Sequence, residues 1–241
     1  MVKETKKTRK PRKTAGRKSD PEQAIITATM ELAAERDWRA ITLHDIAEAA
    51  RMPLSELRTH IACKGDVLRA LARRTGEALL ASVNKEPLEG EPTDRLFELI
   101  MRRLELMAPY KAAIARLMDE PAPAACECPP LIEQYFLAQR WMLAAAGLEK
   151  PGMEGLARTF GLGAVYARAL RAWVRDDDPG LSATMARLDQ DLKRGARLLD
   201  RLHAPASLAR LACRLPRAIL RAGARAARGA DEPAGEEAAR S

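Results

Sequence analysis

Aromatic and β-branched residues are scarce in this chain of 241 residues. It contains three Phe, three Trp and three Tyr, whereas alanine and leucine dominate an apolar fraction of 47%. Strands favour β-branched and aromatic side chains, while alanine and leucine favour helices. The composition therefore predicts an all-α protein, and the length is sufficient to bury a substantial core.

Long apolar runs and paired cysteines are also missing. No segment approaches the length of about 18 apolar residues that a membrane-spanning helix needs. The basic start of the chain is not followed by the apolar stretch of a secretory signal. The four cysteines lack a pattern of paired short spacings: Cys63, Cys126, Cys128 and Cys213. We therefore expect a soluble cytoplasmic protein whose cysteines are reduced thiols.

Patterns that indicate catalysis or metal binding are absent from the sequence. The three histidines, His44, His60 and His203, are isolated from one another. Cys126 and Cys128 lack a third and a fourth metal ligand nearby. No nucleophile elbow or Walker motif occurs. We expect no enzyme activity, no cofactor and no bound metal.

The net charge of +8 is concentrated in residues 1–18, which contain nine lysines and arginines against a single glutamate. The remainder of the chain is therefore neutral. A segment of this kind is typical of a disordered basic arm that contacts nucleic acid or an anionic membrane, although it also fits a solubilising leader. The candidate DNA-binding cations in it are Arg9, Lys10, Arg12, Lys13, Arg17 and Lys18.

The order of helix signals after the arm predicts a helix-turn-helix. Asp20 and Pro21 indicate the start of a first helix, and Thr42 with Asp45 resembles a capping box that opens a short second helix. Pro53 interrupts the pattern before a third helix over 54–60, and a longer fourth helix covers 64–84. In a helix-turn-helix, the second of the two short helices enters the major groove of DNA.

Residues 25–71 resemble the DNA-binding domain of the TetR family of bacterial transcriptional regulators. The resemblance rests on ATMELAAERDWRAITLHDIAEAA and on Leu57, His60, Lys64, Val67 and Leu68. It implies a three-helix DNA-binding domain followed by a larger helical bundle. The DNA-contacting residues that it implies are Thr42, Pro53, Leu54, Ser55, Arg58, Thr59, His60 and Lys64, with phosphates facing Thr42, His60 and Lys64.

Three positions differ from the usual pattern of that family. Arg51 replaces the turn glycine, at a cost of about 1 kcal/mol if the position requires a positive φ. Pro53 replaces a small or hydroxyl residue, and Arg58 replaces a tyrosine. An arginine keeps a phosphate donor and adds the possibility of a bidentate contact with guanine. The alternative interpretation is a small helical bundle that does not touch DNA.

A Pro-, Gly- and Glu-rich linker over 85–92 suggests a domain boundary. We predict a disordered arm at 1–18, a helix-turn-helix domain at 19–84 and a helical ligand-binding and dimerisation domain at 85–204. A basic amphipathic helix at 205–228 and a disordered tail at 229–241 follow. The family resemblance implies a ligand pocket, with candidates Phe97, Met101, Leu104, Phe136, Trp141, Tyr166 and Trp173, although ordinary core packing is the stronger explanation for these residues.

A second resemblance supports a competing function. The segment ARALRAWVRDDDPGLSATMARLDQDLKRG resembles the C-terminal region of the TetR-like coenzyme Q accessory lipid-binding protein. The arginine-striped segment 208–228 would suit peripheral contact with a membrane through its leucine face, although that face equally suits packing on the protein itself. We expect a ligand-responsive repressor that binds a DNA operator as a homodimer and responds to a small hydrophobic ligand; the alternative is a membrane-associated lipid-binding protein.

Overall fold

The structure, a computed structural model, describes residues 20–120 and 129–202. Within those ranges the backbone forms nine α-helices and two short 3-10 turns, without a strand. The helices are α1 Pro21–Glu35, α2 Leu43–Ala49, α3 Leu54–His60, α4 Gly65–Lys85, α5 Pro92–Leu106, α6 Lys111–Asp119, α7 Pro129–Ala145, α8 Gly152–Val174 and α9 Ser182–Leu202. The prediction of an all-α fold is confirmed for this part of the chain.

The helix starts follow the capping signals of the sequence. Asp20 accepts a hydrogen bond from the backbone N–H of Gln23, and Pro21 occupies the first position of α1. The sequence also predicts a last long helix over 179–203, and its start is wrong, because α9 begins at Ser182. Residues 178–181 form a turn instead, and Leu181 adopts a positive φ of 53° there.

The first of two hydrophobic clusters lies among α1, α2, α3 and the first half of α4. Helix α1 contributes Ile25, Ile26 and Met30, and the short helices contribute Ile46 and Leu57. All of these side chains are almost fully buried. This small core therefore sets the angle at which the short helices leave the first helix.

The second cluster holds together α5, α7, α8 and α9, with the second half of α4 packed against it. Its largest buried members include Leu99, Ile100, Leu104 and Trp173. Because α4 contributes Leu71 to the first cluster and Leu79 to the second, this helix runs from one core into the other. The linker between α4 and α5 coincides with the predicted boundary segment at 85–92.

Residues 110–120 form a second connection between the two cores. Ala113 of α6 is buried in the first cluster beside α1. The side-chain amide of Gln23 donates to the hydroxyl oxygen of Tyr110 at 2.9 Å, and the backbone N–H of Trp38 donates to Glu120 at 2.5 Å. A movement at the end of α5 would therefore reach α1 directly.

Neither a helix suited to crossing a membrane nor a metal-binding cluster of His, Cys, Asp and Glu side chains occurs within 20–120 and 129–202. The predicted arm at 1–18, the amphipathic segment 208–228 and the tail lie outside the described residues, as do Cys126, Cys128 and Cys213.

Candidate nucleic-acid interface

Helix α3 projects from the first cluster with one side chain turned inward. Leu57 is 2% exposed and packs into that core, whereas every other residue from Pro53 to His60 is exposed. Leu54 is 49% exposed even though it is apolar. The outward face of this seven-residue helix is therefore free to contact another molecule.

The turn between α2 and α3 is built around a left-handed residue. Arg51 has a φ of 55°, a conformation that glycine adopts more easily than any other residue. The N–H of Met52 donates to the carbonyl oxygen of Ala47, and the N–H of Arg51 donates to that of Glu48, each at 3.0 Å. This is a Schellman motif, which usually has a glycine at the left-handed position. Position 51 therefore requires a positive φ, so the condition for the steric cost of Arg51 is met.

The side chains predicted to read DNA lie together along the exposed face of α3. Pro53 precedes the helix, and its carbonyl oxygen accepts from two backbone N–H groups of the first turn. The Thr59 hydroxyl donates to the carbonyl oxygen of Glu56 at 2.7 Å, which leaves its oxygen able to accept. Arg58 is exposed and forms no ion pair with a described residue. These residues, with Leu54, Ser55 and His60, form a continuous exposed surface that we call the α3 face.

Thr42 caps the start of α2 as predicted, but its hydroxyl and its backbone N–H both form hydrogen bonds with Asp45. Its hydroxyl accepts from the N–H of Asp45 at 3.2 Å, and its own N–H donates to the Asp45 carboxylate at 2.8 Å. Hydrogen bonds from the Thr42 hydroxyl and backbone hold the pKa of Asp45 below its usual value. A phosphate at this helix end would therefore be bound mainly by the free N–H groups of the first turn, at Leu43 and His44.

Lys64 fastens the start of α4 to the chain between α1 and α2. Its ammonium donates to the carbonyl oxygens of Trp38 at 2.5 Å and Ile41 at 3.0 Å, and it lies 5.3 Å from the centre of the Trp38 ring. An ammonium has three N–H donors, so one remains for an external anion. The two hydrogen bonds and the contact with the Trp38 ring hold the side chain in place. The phosphate contact of Lys64 stays a prediction.

The predicted pocket residues fall into separate groups. Leu104, Tyr166 and Trp173 are buried, and Phe97 and Met101 are partly buried against the same core. Half-buried Phe136 lies 4.8 Å from Phe160 between ring centres. Trp141 is 55% exposed on the outer side of α7, so its assignment to an interior pocket is corrected. The buried ring of Trp173 lies beside Lys111, with 5.6 Å between its centre and the ammonium.

Arg103 is a buried polar residue outside the set of predicted site residues. It lies in α5 among the inward-facing residues Leu99, Ile100, Leu104 and Met107 and is 3% exposed. Its Nε donates to the hydroxyl oxygen of Tyr166 at 3.1 Å. A charged residue at an inward position of the helical repeat was the signal available in the sequence.

The polar residues that carry the second resemblance have a structural role. The Asp176 carboxylate accepts from the N–H and the hydroxyl of Thr184 at 2.8 and 2.7 Å. Asp178 accepts in the same way from Ser182, at 3.2 Å from its N–H and 2.5 Å from its hydroxyl. Both carboxyl pKa values are held below their usual value by these hydrogen bonds. The two aspartates of this segment therefore cap the start of α9.

Comparison with known proteins agrees with this architecture. No protein-family model matches the chain, and no curated protein matches its sequence. Among solved structures, a TetR transcriptional regulator from Nitrosomonas europaea ATCC 19718 superposes with a TM-score of 0.58 at 22% identity, covering 73% of this chain and 98% of that one. A TetR transcriptional regulator from Rhodococcus sp. RHA1 has a TM-score of 0.53 at 17% identity, covering 77% and 97%. The chain therefore has the fold of TetR transcriptional regulators.

Proposed function

We propose that this protein is a TetR-type DNA-binding transcriptional regulator, a ligand-responsive repressor that acts as a cytoplasmic homodimer. The observation that carries the proposal is the exposure of α3, with Leu57 as its single inward anchor and the whole α3 face turned outward. A helix of this kind, preceded by a short helix and a turn, has the geometry that fits the major groove.

The chemistry of the α3 face suits the edges of base pairs. The unpaired guanidinium of Arg58 matches the two acceptors of guanine, and the hydroxyls of Ser55 and Thr59 suit several bases. Leu54 would contact a thymine methyl group, and this contact would explain why an apolar side chain is exposed at this position. Arg58 is the residue that we assign to sequence reading.

Phosphate contacts would flank that reading surface. The amino end of α2 presents backbone N–H groups near Thr42, and the third donor of Lys64 lies at the start of α4. His60 ends α3, while Arg51 is exposed at the turn and forms no ion pair with a described residue. Contacts of this type position a protein on the duplex without selecting a sequence.

The basic arm at 1–18 supplies a third kind of contact. Its nine lysines and arginines precede α1 directly, and the rest of the chain is neutral overall. Arms of other helix-turn-helix proteins enter the minor groove or follow the phosphates. We assign the arm to this role, in which it contributes to affinity more than to specificity.

The proposed dimer would form through the outer side of the bundle. On α8, Gly161, Ala164, Arg168 and Arg171 are exposed at helical spacing, so two small residues are followed by two arginines on one face. Small residues allow close approach of a partner helix. A two-fold dimer would place its two α3 helices on half-sites about 34 Å or a multiple apart on the same side of the duplex.

Ligand response would use the connection through residues 110–120. Arg103 and Met107 at the end of α5 lie beside the Tyr166 hydroxyl, and Tyr110 follows and accepts from Gln23 of α1. A ligand that favours one arrangement of this connection would change the position of α3 and therefore its DNA affinity. Release of the operator on ligand binding is the proposed logic.

The test is selection of DNA from a random duplex library by the full chain. We expect the selected sequences to contain an inverted repeat with two half-sites in phase with the helical turn. Arg58→Ala should change the preferred base at one position of each half-site. Recovery of unselected sequences, with equal affinity for all of them, would overturn the proposal.

A further inference from the structure

Arg103 occupies a position that normally holds an apolar side chain. Its neighbours along the inward side of α5, Leu99, Ile100 and Leu104, are fully buried, and Arg103 itself is 3% exposed. Arginine is among the residues least often found in a protein core unless it has a charged partner. Its burial therefore indicates that Arg103 binds a partner.

The contacts of Arg103 leave its charge uncompensated. Nε donates to the hydroxyl oxygen of Tyr166, and the guanidinium lies 5.1 Å from the centre of that ring. Nη1 is buried without an acceptor, and no carboxylate among the described residues pairs with the guanidinium. The adjacent Arg102 is different, because it forms ion pairs with Glu98 and Glu86.

A buried guanidinium without a counterion is costly to the folded state. Arginine does not lose its proton in proteins, so it cannot escape the cost by becoming neutral. An anion bound at Nη1 would remove this cost and satisfy the free donor at the same time. Binding of an anion at Arg103 would therefore stabilise the folded bundle.

The surroundings of Arg103 indicate the rest of the ligand. The ring of Tyr135 lies 6.0 Å from that of Tyr166, and Phe136 packs against Tyr135 at 5.3 Å between ring centres. Burial raises the pKa of Tyr135, so this residue remains a neutral phenol, and its hydroxyl donates to Gly163.

We propose that the bundle binds an organic monocarboxylate through Arg103. The planar guanidinium pairs with the carboxylate, and the apolar body packs on Tyr135, Tyr166 and Phe136. Tyr135 and Phe136 are half-buried, so the aromatic cluster reaches the surface of the bundle. This inference rests on the ligand-responsive function proposed above and names the chemical class of its ligand.

The first test measures thermal unfolding without added ligand. Arg103→Met removes the unpaired charge and keeps most of the volume, so we expect the melting temperature of the full chain to rise by roughly 3 °C. Arg102→Met is the matched control in the same helix and should not raise it, since Arg102 is paired. A lower melting temperature for Arg103→Met would overturn the proposal, because it would mean that the charge is structurally satisfied.

The second test uses matched probes on the wild-type protein. Naphthalene-2-carboxylate is compared with its carboxamide, and decanoate with decanol, by calorimetric titration. We expect at least one acid to bind roughly tenfold or more tightly than its neutral analogue. Arg103→Met should abolish that preference, and Arg102→Met should retain it. Equal affinity for acid and neutral analogue in both pairs, or no binding of either acid, overturns the proposal.

Operator binding by the same variants separates this inference from the proposed function. A regulator whose Arg103 site is absent would bind its operator but show no preference for acids. A chain that binds acids selectively without binding any operator would leave the carboxylate site in place and overturn the regulatory function instead.

Discussion

The N–H of Met52 donates to the carbonyl oxygen of Ala47 at 3.0 Å, and this bond closes the turn that presents α3. It forces Arg51 into a left-handed conformation, with φ at 55°. The same motif ends α7, where the N–H of Leu148 donates to Leu143 and Gly147 holds the left-handed position with φ at 75°. The described part of the chain therefore contains one Schellman turn with glycine and one with arginine.

Arg51→Gly is expected to stabilise the protein by about 1 kcal/mol, because glycine adopts a positive φ without a steric cost. Chemical denaturation of wild-type protein and variant measures the difference. Gly147→Ala is the matched control and should destabilise by a similar amount, since it introduces the cost that Arg51 already bears. If Arg51→Gly has no effect on stability while Gly147→Ala lowers it, the turn at Arg51 is not strained.

Leu57 and Leu54 test which side of α3 faces outward. Leu57→Ala should lower the free energy of unfolding by about 2 to 4 kcal/mol, because it leaves a cavity in the first cluster. Leu54→Ala removes an exposed side chain and should change stability by less than about 0.5 kcal/mol. Leu54→Ala should weaken operator binding while the free energy of unfolding stays nearly unchanged, unlike Leu57→Ala. The opposite ranking of the two unfolding free energies would contradict the orientation of α3.

The ion pairs between α1 and α4 predict a pH dependence of stability. Partial burial raises the pKa of Glu22, but hydrogen bonds from Arg73 and Arg74 outweigh it and hold the pKa below its ordinary value of 4.5. The side chain of Arg74 likewise holds the pKa of Asp20 low. Because both folded-state pKa values are lowered, their stabilisation is complete above the unfolded values and is lost as the pH falls through the folded ones.

Glu22→Gln should therefore lower the melting temperature at neutral pH and flatten its decline in acid. Melting curves from about pH 7 down to pH 3 measure both effects. Glu77→Gln removes an exposed partner of the same Arg73 and should leave the curve nearly unchanged. A Glu22→Gln profile parallel to that of wild type would mean that this carboxyl group has the same pKa in both states.

Ala164→Glu tests the proposed dimer surface on α8. A glutamate side chain at this position would fill the space that a close helix contact requires and would lose its hydration there. We therefore expect the dissociation constant of the dimer to rise at least tenfold, which corresponds to about 1.4 kcal/mol. Light scattering after size exclusion gives the mass. Ala81→Glu places the same charge on an exposed site of α4 and should leave the mass unchanged. A dimer that survives Ala164→Glu with unaltered affinity uses another surface.

Local signals in the sequence predicted most of the helix starts. Asp20 and the Thr42–Asp45 pair act within one turn of the chain, so their geometry follows from residue order alone. The start of α9 was mistaken because Asp176 and Asp178 reach forward to Thr184 and Ser182, past the proline that suggested a helix start.

The interior of the bundle was harder to predict for a physical reason. Helix α7 is apolar on nearly every side, so its sequence does not show which face turns inward, and Trp141 was assigned to the wrong one. Arg103 breaks the rule that charges lie outside. The helical repeat of α5 places Arg103 on the inward side, but its partner Tyr166 depends on the packing of α5 against α8, which residue order in α5 alone does not reveal.

The most direct measurement of the central claim is operator retention as a function of salt, on the selected sequence and on a scrambled one. The full chain should prefer its operator, and its affinity should fall by about 0.9 log unit per log unit of salt for each phosphate contacted. Removal of residues 1–18 should flatten that slope while the preference remains, whereas Arg58→Ala should reduce the preference and alter the slope less. Equal retention of both sequences by the full chain, with Arg58→Ala indistinguishable from wild type, would contradict the account that α3 reads DNA.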